Sequence, residues 1–208
     1  MSRYTPVNSS PAQQNKILFQ MTEIALSDSA SLLSELAQKK VDFSLDNIVV
    51  GDQSGLPELL NSVETAMFAV CHRLDGANHG CIAFLLDEPD GLNFVKALLY
   101  EKNDRQDMTE MEEEALIEVG NIIINDLLRH YMETLQEAVT TSVPTLKRGQ
   151  YNFIFERSVD GVTIRENYLA KFSVEVLSYT FFAYILWIDY LHEQEGENSK
   201  RLLKNEPL

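Results

Sequence analysis

The apolar positions divide the chain into helical and strand-like stretches that recur in the same order. From about Asn15 to Lys40 they return at helical spacing, which predicts Ile17, Met21, Ile24, Leu32, Leu33 and Leu36 on a buried face. Val41 to Val50 alternates as a strand does, with Val41, Phe43 and Leu45 in one phase. A loop at Gly51–Pro57 and a short helix at Pro57–Val63 follow. Thr65–Arg73 and Cys81–Leu86 read as the strands of a hairpin around Asp75-Gly76-Ala77-Asn78. Glu88-Pro89-Asp90-Gly91 reads as a turn, Leu92–Tyr100 as a helix and Glu101–Asp107 as a charged connector.

The order then begins again. Thr109 to about Val139 reads as a second long helix, with Thr109 and Glu112 spaced as a capping box. Pro144 opens a strand, and Tyr151–Glu156, Tyr168–Val176 and Thr180–Ile188 read as three more. Two passes of long helix, strand and antiparallel strands suggest a duplication with a period of about 95 residues. The expected fold is α/β or α+β: internally duplicated, pseudo-two-fold, with a mostly antiparallel sheet packed against two long helices. One domain is expected over 15–192, its halves about 15–104 and 105–192. Residues 1–14 and 193–208 are expected to be flexible.

Charge narrows the partners. Lys plus Arg number 17 against 32 for Asp plus Glu, a net charge of −15. Such a surface repels phosphate backbones and anionic headgroups, so nucleic acid and membrane are not expected partners. The longest uncharged apolar stretch, Val176–Ile188, is bracketed by Glu175 and Asp189 and is too short for a membrane span. With no secretory signal visible either, a cytoplasmic location is expected. Cys71, His72, His79 and Cys81 follow C-H-x6-H-x-C, which is not a zinc-finger or ribbon spacing. Two strands around a turn account for it better, and no metal is expected in this chain. No G-x-S-x-G, Walker loop or H-E-x-x-H occurs.

The candidate chemistry lies on the second long helix. Glu114, Glu118, Asn121 and Asn125 are spaced i, i+4, i+7, i+11 and keep to one narrow stripe. Leu116, Ile117, Ile123, Ile124, Leu127, Leu128, Tyr131 and Leu135 are expected on the opposite, buried side. Any amphipathic helix has a polar face, so the row alone is not a site. Its composition adds something: a carboxamide is neutral, donates and accepts, and approaches a phosphoryl group without repulsion. A carboxylate beside it can pair with a lysine that already touches the phosphate.

The run from Glu114 to Asn125 resembles the signature helix of the CheC/CheX/FliY phosphatases of bacterial chemotaxis. Their pattern is Asp or Ser, three residues, Glu, two residues, Asn, twenty-two residues, Pro. Glu118, Asn121 and Pro144 match at those spacings, and Glu114 departs from Asp/Ser. Chance placement of the chain's 20 Glu, 13 Asn and 6 Pro gives only about 0.04 such matches. The resemblance implies a phosphatase that accelerates hydrolysis of the aspartyl phosphate on a CheY-like response regulator. Asn121 would orient the attacking water and Glu118 would pair with the partner's active-site lysine. Glu114 and Asn125 would be accessory, and Pro144 would shape the entry to the next strand. Mg²⁺ would sit in the partner, with no cofactor in this chain. A CheD-like deamidase is a second partner the resemblance brings. The first half lacks the motif, since Glu23 is followed by Leu26 instead of Asn, and Ser27, Asp28, Ser29 and Ser31 are expected to form a solvated face. One working site is therefore expected. The alternative is a non-catalytic response-regulator-binding or signalling adaptor of the same fold.

Overall fold

Stretches of period 3.6 and of period two follow one another twice along the chain and become one antiparallel sheet with helices on one face. The computed structural model describes residues 11–51, 66–76, 79–99, 105–136, 138–150 and 164–190. In order these form α1 (Pro11–Ala37), β1 (Val41–Gly51), β2 (Met67–Gly76), β3 (Gly80–Asp87), α2 (Glu88–Leu99) and α3 (Glu110–Leu135). β4 (Val139–Thr141), β5 (Thr145–Gly149), β6 (Ile164–Val176) and β7 (Tyr179–Tyr190) complete the seven described strands. The short helix expected at Pro57–Val63, the strand expected at Tyr151–Glu156 and the expected tail 193–208 lie outside the described residues.

The sheet runs β1-β6-β7-β3-β2-β4, with β5 also on the outer edge of β2. Every described pairing is antiparallel. This order carries the duplication. Exchanging α1 with α3, β1 with β4/β5, β2 with β6 and β3 with β7 reproduces it read from the other edge. The repeat is thus a pseudo-two-fold whose axis passes between β3 and β7, the central pair.

The central strands carry buried apolar residues on both faces. Along β7, Phe181, Ala183, Ile185 and Trp187 join Phe68, Val70, Phe84, Phe172 and the three helices in the main core. The alternate positions Leu186 and Ile188 join Met67, Ala69, Leu85 and Leu169 in a second cluster on the other face. In β1 the phase set by Val41, Phe43 and Leu45 passes to Ile48 and Val50. A register shift between Leu45 and Asn47 moves it by one residue.

Several expectations need correction. α1 begins at Pro11, four residues before the start read from the helical spacing at Asn15. Its buried face is Leu18, Met21, Ala25, Leu26, Ala30 and Leu33, whereas Ile24, Leu32 and Leu36 are exposed. Two polar residues complete that face and so hid it from an apolar count. Thr22 donates to the carbonyl of Leu18 and bonds the Tyr168 hydroxyl, while Ser29 donates to Asp126 at 2.8 Å. Ser29 is therefore buried and does not belong to a solvated face. Asp28, exposed as expected, is paired with Arg129 at 2.8 Å and His130 at 2.9 Å. These contacts tie the two repeat helices together. Glu88–Gly91 is the first turn of α2 and not a separate turn: Asp87 accepts from the backbone N–H of Asp90 at 2.8 Å as its cap. α3 stops at Leu135, because Gln136 takes a left-handed conformation (φ 57°), and Val139 belongs to β4.

Candidate functional site

The site is built on α3, whose start is fixed by the expected capping box. Thr109 accepts from the N–H of Glu112 at 3.3 Å, and Glu112 accepts from the Thr109 N–H at 2.6 Å and hydroxyl at 2.8 Å. The Glu112 side chain is fully buried, with Arg105 at 3.6 Å. Burial alone would push this carboxyl up, but the two Thr109 hydrogen bonds and the charges of Arg105 and Lys96 hold it below the ordinary glutamate value. A depressed folded value means that its contribution to stability is present above the unfolded value and is lost as pH falls through the folded one. Thr109→Ala is expected to cost about 1 kcal/mol. It should also flatten the acid limb of stability, read as denaturant midpoints across pH; a variant with the wild-type acid limb would refute the role given to Thr109.

At 100° per residue, Glu114, Glu118, Asn121 and Asn125 fall within an arc of about 60°. Glu114, Glu118 and Asn125 are exposed and Asn121 is half-buried. The carboxylates of Glu114 and Glu118 make no hydrogen bond or ion pair with any described residue. The Asn125 Nδ2 donates to Asn121 Oδ1 at 3.0 Å. Beneath the stripe Leu116, Ile123, Ile124, Leu127, Leu128 and Tyr131 are buried, joined by Val119 and Ile122. Ile117 and Leu135 are only half-buried. Ile117 lies about 60° from Glu114 around the helix, so it flanks the stripe and does not oppose it.

Gly120 sets how closely α3 lies on the sheet. A Cβ there would stand 2.6 Å from the Cβ of Val70 on β2. Its structural role was not read from the sequence, although a lone glycine inside a strong helical pattern signals close packing. The same contact holds Glu118 and Asn121, on either side of it in sequence, at a fixed height above the sheet.

The structure brings the four α3 residues together and places Pro144 elsewhere in the fold, in the break between β4 and β5. There Ser142 bonds Arg73 of β2 through its backbone N–H and its hydroxyl, each at 2.9 Å. Proline, with no N–H to donate, fits that interruption of an edge strand. On α1 no Glu/Asn pair stands one turn apart: Glu23 is exposed, but Leu26 is buried.

The C-H-x6-H-x-C run forms facing strands, as expected. Cys71 pairs opposite Ala83, and Cys81 opposite Arg73. Both cysteines are free, and burial pushes the Cys71 thiol up to about 12, which keeps it protonated and unreactive. No group of three or more His, Cys, Asp or Glu among the described residues is arranged to hold a metal. A cleft of about 340 Å³ between α2 and β5 is lined by Phe68, Glu88, Leu92, Lys96, Arg105 and Arg148. Its Arg148 is committed to Glu88 at 2.7 Å and to Asp107 at 3.3 Å. The α3 stripe, in contrast, projects from a helix surface, a shape suited to entering another protein's site.

The fold is shared with known proteins. FliY of Thermotoga maritima superposes with a TM-score of 0.66 at 14% identity, over 86% of this chain and 91% of that one. A chain of the FliG–FliM complex from H. pylori gives 0.66 at 9% identity, over 86% and 94%. The H. pylori FliM middle domain gives 0.55 at 9% identity, over 88% and 93%. No protein-family model and no curated protein sequence matches the chain. The architecture is that of the CheC/CheX/FliY fold. No helix among the described residues is long and apolar enough to cross a membrane.

Proposed function

We propose that this chain is a phosphatase that accelerates hydrolysis of the aspartyl phosphate on a CheY-like response regulator, with one active site on α3. The observation that carries the reading is the pairing of a free, exposed carboxylate, Glu118, with the carboxamide of Asn121 one turn on. Both project from a helix locked at its start by Thr109 and against the sheet by Gly120. Water attacks phosphorus, the bond between phosphorus and the regulator's aspartate oxygen breaks, and the aspartate leaves as a carboxylate. Asn121 adds no nucleophile; it holds the water in line, and its neutrality avoids repelling the phosphoryl oxygens. Glu118 docks the helix through the regulator's lysine. The partner supplies the phosphorylated aspartate and its Mg²⁺.

The adaptor reading is favoured by two features, the missing motif in the first half and the Glu114 departure from the phosphatase pattern. A FliG–FliM complex from H. pylori contains a chain of this fold, and the adaptor reading would have this chain assemble with a partner protein in the same way. A panel of phosphorylated regulators, followed by stopped flow with and without the protein, separates the two. Acceleration is expected with the cognate regulator. Glu118→Ala should raise the regulator concentration needed for half-maximal rate, since a charged docking contact is lost. Phosphate loss at the regulator's own spontaneous rate throughout the panel would leave only the adaptor reading.

A further inference from the structure

The two ends of a carboxamide are nearly the same shape and opposite in chemistry: Oδ1 only accepts and Nδ2 only donates. For Asn121 to turn a water's lone pair toward phosphorus, Oδ1 must accept a hydrogen bond from that water, so the orientation of the amide decides whether it works. On an exposed helix stripe the two orientations would otherwise exchange freely. Two neighbours choose between them. Asn125, one turn on, donates Nδ2–H to Asn121 Oδ1 at 3.0 Å. Glu118, one turn back, is an exposed carboxylate with no described partner, and its charge favours Nδ2 of Asn121 on its own side. The Glu118 charge thus selects one orientation of the Asn121 dipole, and the Asn125 amide holds it by presenting Nδ2 to Oδ1. A carbonyl oxygen has two acceptor sites, so Oδ1 keeps one for a water after accepting from Asn125. Helical stability gives no reason for asparagine here, because it is among the poorer helix formers and position 125 is exposed.

We infer that Asn125 is a positioning residue that fixes the side-chain amide of Asn121 by donating to its Oδ1. The role rests on the phosphatase reading, and two measurements keep the two separable. The first is turnover with a phosphorylated regulator. Asn125→Leu keeps the approximate shape and removes the donor; kcat should fall about tenfold with KM unchanged, as expected of a lost orientation. Asn125→Gln keeps an amide donor within i, i+4 reach of Asn121 and should restore most of the rate. A wild-type kcat in Asn125→Leu, a loss confined to KM, or no rescue by Gln would each overturn the role. The second measurement is NMR of the Asn121 side-chain amide in the protein alone. A single ordered NH₂ pair is expected in wild type and in Asn125→Gln, and averaged, more mobile signals in Asn125→Leu. Asn121 signals that are the same in all three proteins would overturn the inference whether or not the protein is a phosphatase. If wild type fails to accelerate phosphate loss while Asn121 responds as expected, the phosphatase reading fails and the orienting contact stands.

Discussion

Replacing Asn121 by alanine is expected to slow phosphate loss from the bound regulator by about 10²-fold or more, with the fold intact. The fold should survive because Asn121 is half-exposed and its one described side-chain bond is to the exposed Asn125. Alanine is also the better helix former, so α3 should not loosen. The rate should fall because, in the proposed reaction, the water's alignment depends on this amide. The defect belongs in kcat, since docking in the proposed reaction rests on Glu118. Asn121→Asp is the sharper comparison. It keeps an acceptor oxygen but adds a negative charge facing phosphoryl oxygens, and its rate should lie no higher than that of Asn121→Ala. A stopped-flow series over regulator concentration reads both parameters. An Asn121→Ala protein as fast as wild type would remove the water-orienting mechanism even if Glu118 proved essential.

The sequence made the second half easier to read than the first. On α3 the capping box, the acid and amide stripe and the run of branched aliphatics agree on one register, so Glu114, Glu118, Asn121 and Asn125 could be placed on one face. On α1 the buried face contains Thr22 and Ser29, and the apolar residues Ile24, Leu32 and Leu36 point outward. A search for apolar period therefore finds Met21 and Leu33 but adds Ile24, Leu32 and Leu36 from outside the buried face. Ser29 could still have been found, since it continues the i, i+4 row of Ala25 and Leu33. What it bonds could not: Asp126 lies on the other repeat helix, a partner supplied only by tertiary packing. The same limit applies at the site. Spacing shows that Asn121 and Asn125 are neighbours, but which amide donates to which is a matter of rotamers. The palindromic sheet order was legible in outline, because two helix–strand passes of similar length imply a two-fold. The split of one edge strand into β4 and β5 around Pro144 was not.

Adding a methyl group at Gly120 is expected to destabilise the protein, against the usual gain from glycine to alanine in a helix. That gain is about 1 kcal/mol when the helix position is free. Here the new Cβ would lie 2.6 Å from the Val70 Cβ and 2.8 and 2.9 Å from its two methyl carbons. Val70 has little room to yield: it is 1% exposed, on a strand paired to β3 on one side and β5 on the other. Its β-branched side chain is also stiff at χ1. Overpacking of this kind costs about 1–3 kcal/mol, so Gly120→Ala should be destabilised on balance and Gly120→Val should reach or pass the upper figure. Truncating the neighbour tests the cause. Val70→Ala alone opens a cavity and is also destabilising, but the double variant should be more stable than the two losses predict, because each change relieves the other. The site should register the same strain. Asn121 follows Gly120 directly, and a helix lifted from the sheet carries it out of line; a misplacement of about 1 Å can cost 10²-fold in rate. Gly120→Ala should therefore lose turnover while keeping its helical circular dichroism, and the Val70→Ala background should restore part of it. A Gly120→Ala protein with a higher denaturation midpoint than wild type would show that α3 is not held against β2 at this point.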